Sequence, residues 1–383
     1  MVMKRIARVF LSLVAAAACA QAPAQSGDPY KLGFLMPLTG GPGKMGNMMM
    51  DGSTLAIAEI NAAGGVAGRP LVLVPEDSQG LAKQGMDGFR KLIDVDHTPV
   101  IITGYTAVVS AVAPQAAQAR VYLISGSTAS SAVRNVSPYF QNTWSYEEDQ
   151  VNLMLGYAKN QLKVQRLGVM TVISDLGTNL GAAVKKEWAA MGGVLAADET
   201  HQQTEANFRS TMLKMLTSKP DAIYLTTSND KQASQIVRQA RELGYKGLFL
   251  SFGALEGAEM LTIGKQGEGS YFTSAAYDPA GNNPLTKRFV EAFGKRYPGQ
   301  TPNIHHANHY DLVYMVKAAA EGLVKKGQPV NGATLRESFM ANLTEYRGAA
   351  GTYRFNFKEG SARRSAIVKT IADGKYVKVA DLE

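Results

Sequence analysis

Two short loops concentrate the groups that could bind a small anion. Ser125-Gly-Ser-Thr-Ala-Ser-Ser131 is rich in hydroxyls, and Gly104-Tyr-Thr106 is a smaller version of the same chemistry. Each follows an apolar run and precedes a helical pattern. Amide N–H groups and hydroxyls at a helix start can hold a carboxylate without a buried cation. One such loop alone reads equally well as a helix cap; two at neighbouring strand ends point to anion binding. The glycine-rich run Pro37–Gly46 is different. A P-loop needs Gly-Lys followed by Ser or Thr, but Lys44 is followed by Met45, and Gly41, Gly43 and Gly46 match the dinucleotide pattern only loosely. It reads as a wide turn lining a cleft. His305 and His309 have the i, i+4 spacing of a helical metal pair, yet no Glu stands between them and no third ligand is apparent. No G-x-S-x-G elbow occurs. Glu147-Glu148-Asp149 suits the first turn of a helix, where acids complement the dipole. The pattern predicts no catalytic residue, no metal and no cofactor.

The elements that must hold these loops alternate along the chain. Strands are predicted at Lys31–Met36, Leu71–Val74, Val100–Thr103 and Val121–Ile124, with helices at Met48–Ala62, Ala82–Ile93 and Val108–Ala119 between them. The pattern restarts at Arg166 and runs to Ser251. This α/β alternation predicts two doubly wound lobes, each a parallel sheet covered on both faces. Phe289–Phe293 and Ala307–Leu323 are further helical segments. Ala366–Ile371 and Tyr376–Val379 read as a hairpin around Asp373-Gly374. Elements are left over after each lobe, so the chain must cross between them more than once.

Length and composition bound the function. A chain of 383 residues with 45% apolar and 19% charged residues is a two-domain globular protein, not a disordered one. The single cysteine, Cys19, excludes a disulfide scaffold, a zinc ribbon and an iron–sulfur protein. Net charge is +8, but the cations are scattered without interleaved aromatics, which argues against a nucleic-acid partner. Lys4, Arg5 and Arg8, the apolar run Val9–Ala18 and Ala22-Pro-Ala24 form a secretory signal over residues 1–24. The chain is expected to be exported. A membrane-anchored lipoprotein processed at Cys19 is the lesser alternative, because Ala16 stands where such signals usually have Leu.

Gly33-Phe-Leu-Met-Pro-Leu-Thr-Gly40 and the run Asp51–Gly68, above all Glu59–Gly68, resemble the opening of the leucine/isoleucine/valine-binding proteins, periplasmic receptors of ABC transporters. Asp77, Ser125–Thr128, Asp175-Leu-Gly177 and Gln235–Gly244 extend the resemblance over essentially the whole mature chain. It implies the type I periplasmic binding fold, in which two Rossmann-like lobes joined by three hinge crossings close on a ligand. The expected lobes are 29–145 with 276–354, and 146–275 with 355–383. The resemblance also implies a monomer that delivers its ligand to a membrane permease.

Carried over by position, the ligand loops are Thr106 and Ser127, Thr128 and Ala129 for a carboxylate, with Met45 in the first loop. In the second lobe Leu176 stands where the family often has Tyr. Ser228 stands where amino-acid receptors carry an aromatic, and Gly253, or Phe252 in a shifted register, where they carry the Glu that meets an ammonium. Tyr105, Trp144, Phe252 and Tyr277 lie near loops or crossings that could reach a cleft. The missing carboxylate and the spare aromatics point to an aromatic or other apolar carboxylic acid without an amino group. The alternative ligand is a branched-chain or related amino acid, its ammonium met by another acid such as Glu256. Two other classes stay open: a secreted hydrolase or metal-dependent enzyme using His305 and His309, and a sensory receptor subunit.

Overall fold

The structure, a computed structural model, describes residues 27–382 except residue 228. The expected signal segment with Cys19, and Ser228, lie outside the described residues.

The chain opens with β1 (Tyr30–Met36), α1 (Gly43–Ala62), β2 (Leu71–Asp77), α2 (Ala82–Asp94), β3 (Val100–Thr103), α3 (Thr106–Ala119), β4 (Tyr122–Ser125) and β5 (Phe140–Asn142). It crosses into α4 (Glu147–Asn160), β6 (Arg166–Val172), α5 (Asp175–Ala190), β7 (Val194–His201), α6 (Arg209–Leu216), β8 (Ala222–Leu225), α7 (Asp230–Glu242), β9 (Leu248–Phe252), α8 (Ala258–Thr262) and β10 (Ser270–Ala275). It returns through α9 (Pro284–Arg296), α10 (Ile304–Lys325), α11 (Gly332–Asn342), β11 (Glu345–Gly348), β12 (Gly351–Asn356) and β13 (Ser361–Arg364). It ends with β14 (Ala366–Ala372) and β15 (Lys375–Leu382).

The first lobe's sheet is parallel in the order β2-β1-β3-β4-β5. The second lobe repeats that order as β7-β6-β8-β9-β10, and β14 and β15 extend its far edge antiparallel. Both sheets are buried on two faces. Phe34, Ile102 and Ile124 face α1, α9 and α10, while Leu35, Ile101 and Leu123 face α2 and α3. Period-2 alternation is therefore absent from these strands, as expected of a covered parallel sheet. In each lobe the strand order reverses between the first and third strands. Loops at the carboxyl ends there line a crevice, the usual place for a ligand in such sheets.

The β14–β15 hairpin forms where the sequence places it. Asp373 and Gly374 have φ of 50° and 69°, both in the left-handed region that a tight two-residue turn requires.

Two local expectations are corrected. The helix expected from Met48 begins at Gly43, so the last four residues of the glycine-rich run, Gly43 to Gly46, are its first turn and not part of a wide loop. Gly46 is there because a Cβ would stand 1.7 Å from the carbonyl oxygen of Pro37. The third crossing falls at Ser365, not near 355. β12 and β13 pair with β11 in a small separate sheet. Phe355 and Phe357 pack edge-on against Phe339 of α11, at 5.2 and 6.2 Å, and join the first lobe's core.

Candidate hinge-side ligand cleft

The first lobe's crevice is assembled by Asp77 at the end of β2. Its carboxylate accepts the amide of Leu38 at 2.8 Å, the amide of Gln79 at 2.9 Å and the Thr39 hydroxyl at 2.5 Å. That ties the loop after β1 to the loop after β2. Tyr105 enters α3 with φ of 66°, and its ring lies against the Gly80 turn, where Gly also makes room for Pro42. Tyr105 is half-buried and Thr106 begins α3. Met45 lies in the first turn of α1, 40% exposed.

The hydroxyl loop after β4 divides its labour. Thr128 is buried, and its hydroxyl shares a 2.8 Å hydrogen bond with that of Ser125. Asn142 donates to the Thr128 carbonyl at 2.7 Å and to the Trp144 carbonyl at 3.0 Å. Thr128 therefore holds the loop's shape. Ser127 carries the loop's free hydroxyl: its Oγ is buried without a hydrogen-bond partner, in space that exists because residue 104 is Gly. Ala129 accepts the Glu147 amide at 2.9 Å, joining the loop to α4 of the second lobe.

The first turns of α10 complete the wall. Asn303 caps the helix by accepting the amides of His305 and His306, at 3.0 and 3.3 Å. The Trp144 ring stacks on His305, with centroids 5.1 Å apart and planes 13° apart. His309 donates from Nδ1 to the His305 carbonyl at 3.0 Å, which leaves Nε2 an acceptor, buried and unpartnered. Beneath them Asn308 donates to the Gly126 carbonyl at 2.7 Å and accepts from Tyr353. Asp311 accepts the amides of Ala349 and Ala350, at 2.7 and 2.8 Å.

Burial shifts all of these groups toward their neutral forms. Burial lowers the imidazoles of His305 and His306 to about 4 and that of His309 to about 3. Burial raises the Asp311 carboxyl to about 6, against the hydrogen bonds and Arg364 that favour its ionised form. Between pH 6.5 and about 4 the unfolded chain therefore binds more protons at the three histidines, while the folded chain binds one more at Asp311. Around pH 5 unfolding takes up about two protons net from these four groups, so stability is lost as pH falls. We expect a lower urea midpoint at pH 5.0 than at pH 7.5. Equal midpoints would show that the histidines titrate as they do in the unfolded chain.

The structure thus gathers Tyr105, Thr106, Ser127, Thr128, Ala129 and Trp144 on one side. Leu176 and Phe252 belong to the second lobe, where both pack against its core cluster. Gly253, exposed with φ of 45°, leads into a short turn. Among the described residues these three make no hydrogen bond or ring contact with the first lobe's loops. Sequence reasoning missed Arg364, which lies near the Trp144 ring at 5.3 Å, and Asn308 beneath the hydroxyl loop. Neither carries a local motif.

The family described as periplasmic binding protein matches residues 29–375. The chain belongs to that family. This periplasmic binding protein is therefore a solute-binding protein and not an enzyme. It is 23% identical over 313 residues to a Leu/Ile/Val-binding protein, BraC3, of Rhizobium johnstonii, covering 81% of this chain and 84% of the relative. Solved structures share the fold. A branched-chain amino acid binding protein of Streptococcus pneumoniae in complex with isoleucine is 22% identical with a TM-score of 0.72, covering 92% of this chain and all of that one. A solute-binding protein of Rhodopseudomonas palustris in complex with 3,4-dihydroxybenzoic acid is 22% identical with a TM-score of 0.73, covering 93% and 97%.

Proposed function

We propose that this periplasmic binding protein is exported, captures an aromatic or other apolar carboxylic acid by closing its lobes, and delivers it to an ABC transporter permease. The observation that carries the ligand class is the state of Glu256, the acid nearest in sequence to the expected ammonium partner. It is ion-paired with Lys369 and accepts the Ser274 hydroxyl at 2.6 Å. An ammonium in a closed cleft needs a carboxylate, and this one is engaged. The amides and hydroxyls at Thr106 and Ser127 suit the ligand's carboxylate. The dihydroxybenzoate complex of a relative in fold agrees with an aromatic acid.

A second reading, a branched-chain or related amino acid, is favoured by Glu147. Its Oε1 accepts the Ser131 amide at 3.1 Å, but Oε2 is buried without a partner beside the hydroxyl loop. Burial raises this carboxyl, so it gains from meeting a cation.

Calorimetry separates the two. Phenylpyruvate and benzoylformate are expected to bind, and Ser127→Ala to weaken them roughly 10- to 100-fold, the loss of one hydrogen bond to a charged group. Leucine or phenylalanine binding tightly, lost in Glu147→Gln, with no heat from the keto acids, would replace the first reading by the second.

A further inference from the structure

We propose that Arg364 supplies the positive charge that a carboxylate ligand meets at the hinge end of the cleft. This rests on the ligand being a carboxylate, not on whether it carries an amino group.

Arg364 is the last residue of β13, next to the third crossing. Its guanidinium lies 5.3 Å from the Trp144 ring centre and 4.6 Å from that of Tyr353. Nη1 donates to Asn308 Oδ1 at 3.3 Å and Nη2 to the Ala350 carbonyl at 2.6 Å. All these partners are neutral, and among the described residues no carboxylate is within ion-pairing distance. Asp311 is near enough to attract Arg364 electrostatically, but it makes no ion pair with it, and its oxygens take two backbone amides and the Tyr353 hydroxyl.

The guanidinium also borders open space. A cavity of about 50 Å³ lies between Trp144, Ser145, Leu153, Ser274 and Arg364, touching all three crossings. A second, of about 220 Å³, adjoins it between Ser145, Asp149, Asn152, Arg363 and Arg364. The charges facing the larger one are Arg363, Arg364 and Asp149. Asp149 also faces Arg134 at 3.7 Å, so the balance is positive. Asn152 Oδ1 is buried there without a partner. A partly desolvated guanidinium with only neutral partners, beside a cavity and an aromatic ring, is the arrangement that binds a planar carboxylate. Asn308 links it to the hydroxyl loop, bonding Arg364 through its oxygen and the Gly126 carbonyl through its nitrogen.

The test uses the mature chain and two matched pairs: benzoylformate with its methyl ester, and leucine with leucinamide. Arg364→Gln is expected to weaken whichever acid binds by roughly 10- to 100-fold, with Arg364→Lys restoring much of the loss. The neutral partner of that acid should change less than about threefold between wild type and Arg364→Gln. Equal affinity of wild type and Arg364→Gln for the acid overturns the proposal. Equal loss for the acid and its neutral partner also overturns it, showing that Arg364 only holds Ala350 and Asn308. Leucine binding that depends on Arg364 keeps this inference while removing the aromatic-acid reading. Benzoylformate binding that ignores Arg364 does the reverse. Binding of neither acid overturns both.

Discussion

Asp311→Ala is expected to destabilise the protein by about 3–5 kcal/mol, the cost of removing one partner from a buried charged network. Asp311 is 1% exposed and gathers the amides of Ala349 and Ala350 and the Tyr353 hydroxyl. Alanine leaves all three without their acceptor and Arg364 without a nearby counter-charge. It also unties the β11–β12 turn from α10, the helix whose first turns wall the cleft. Urea unfolding measures the effect, and Asp311→Asn, which keeps one acceptor oxygen, should lose less. A loss below about 1 kcal/mol in Asp311→Ala would mean that water replaces the carboxylate.

Gly52→Ala is expected to cost about 3 kcal/mol, the upper range for overpacking a tight contact. A Cβ at Gly52 would stand 2.1 Å from the His306 carbonyl oxygen, a backbone atom that cannot rotate away. α1 and α10 would have to separate, and with them His305 and His309. Gly156→Ala in α4 is the control, because a Cβ there meets nothing within 4 Å. It should stabilise by about 0.5–1 kcal/mol through helix propensity alone. Equal thermal midpoints for the two variants would refute the close-packing argument.

The strongest motif in the sequence, Glu59–Gly68, turns out to concern the fold. Glu59 accepts the hydroxyls of Tyr310 and Tyr314, at 2.5 and 2.8 Å, and so clamps α1 to α10. Asn61 exchanges two hydrogen bonds with Leu71, setting the register of β2. Gly65 allows its own backbone to approach Arg69. Such local constraints leave a readable trace, as do the apolar strands and the Asp-Gly turn. The hydroxyl loops were visible too, but not which hydroxyl is free. Thr128 is engaged because Ser125 lies beneath it, and Ser127 is free because residue 104 has no side chain. Both facts arise from tertiary contacts. The third crossing was misplaced because the alternation of β12 shows that one face is buried but not against which lobe. Arg364 was silent for the same reason, since its ring partner Trp144 lies at the other end of the first lobe's sequence.

The interleaving of the two lobes along the chain has a consequence for how the protein is made. The first lobe's core joins Leu32 and Phe34 to Phe339 and Tyr353, so it cannot close until most of the chain has emerged. The second lobe's sheet lacks β14 and β15 until the last residues appear. β10 meanwhile keeps an unpaired edge, a template for wrong pairing. A chain emerging N-terminus first thus holds an incomplete first lobe until its last elements have joined it, and an open-edged second lobe until β14 and β15 have joined it. Loop closure over such distances is slow compared with local helix formation. Completion of the first lobe therefore comes late, long after its own helices can form.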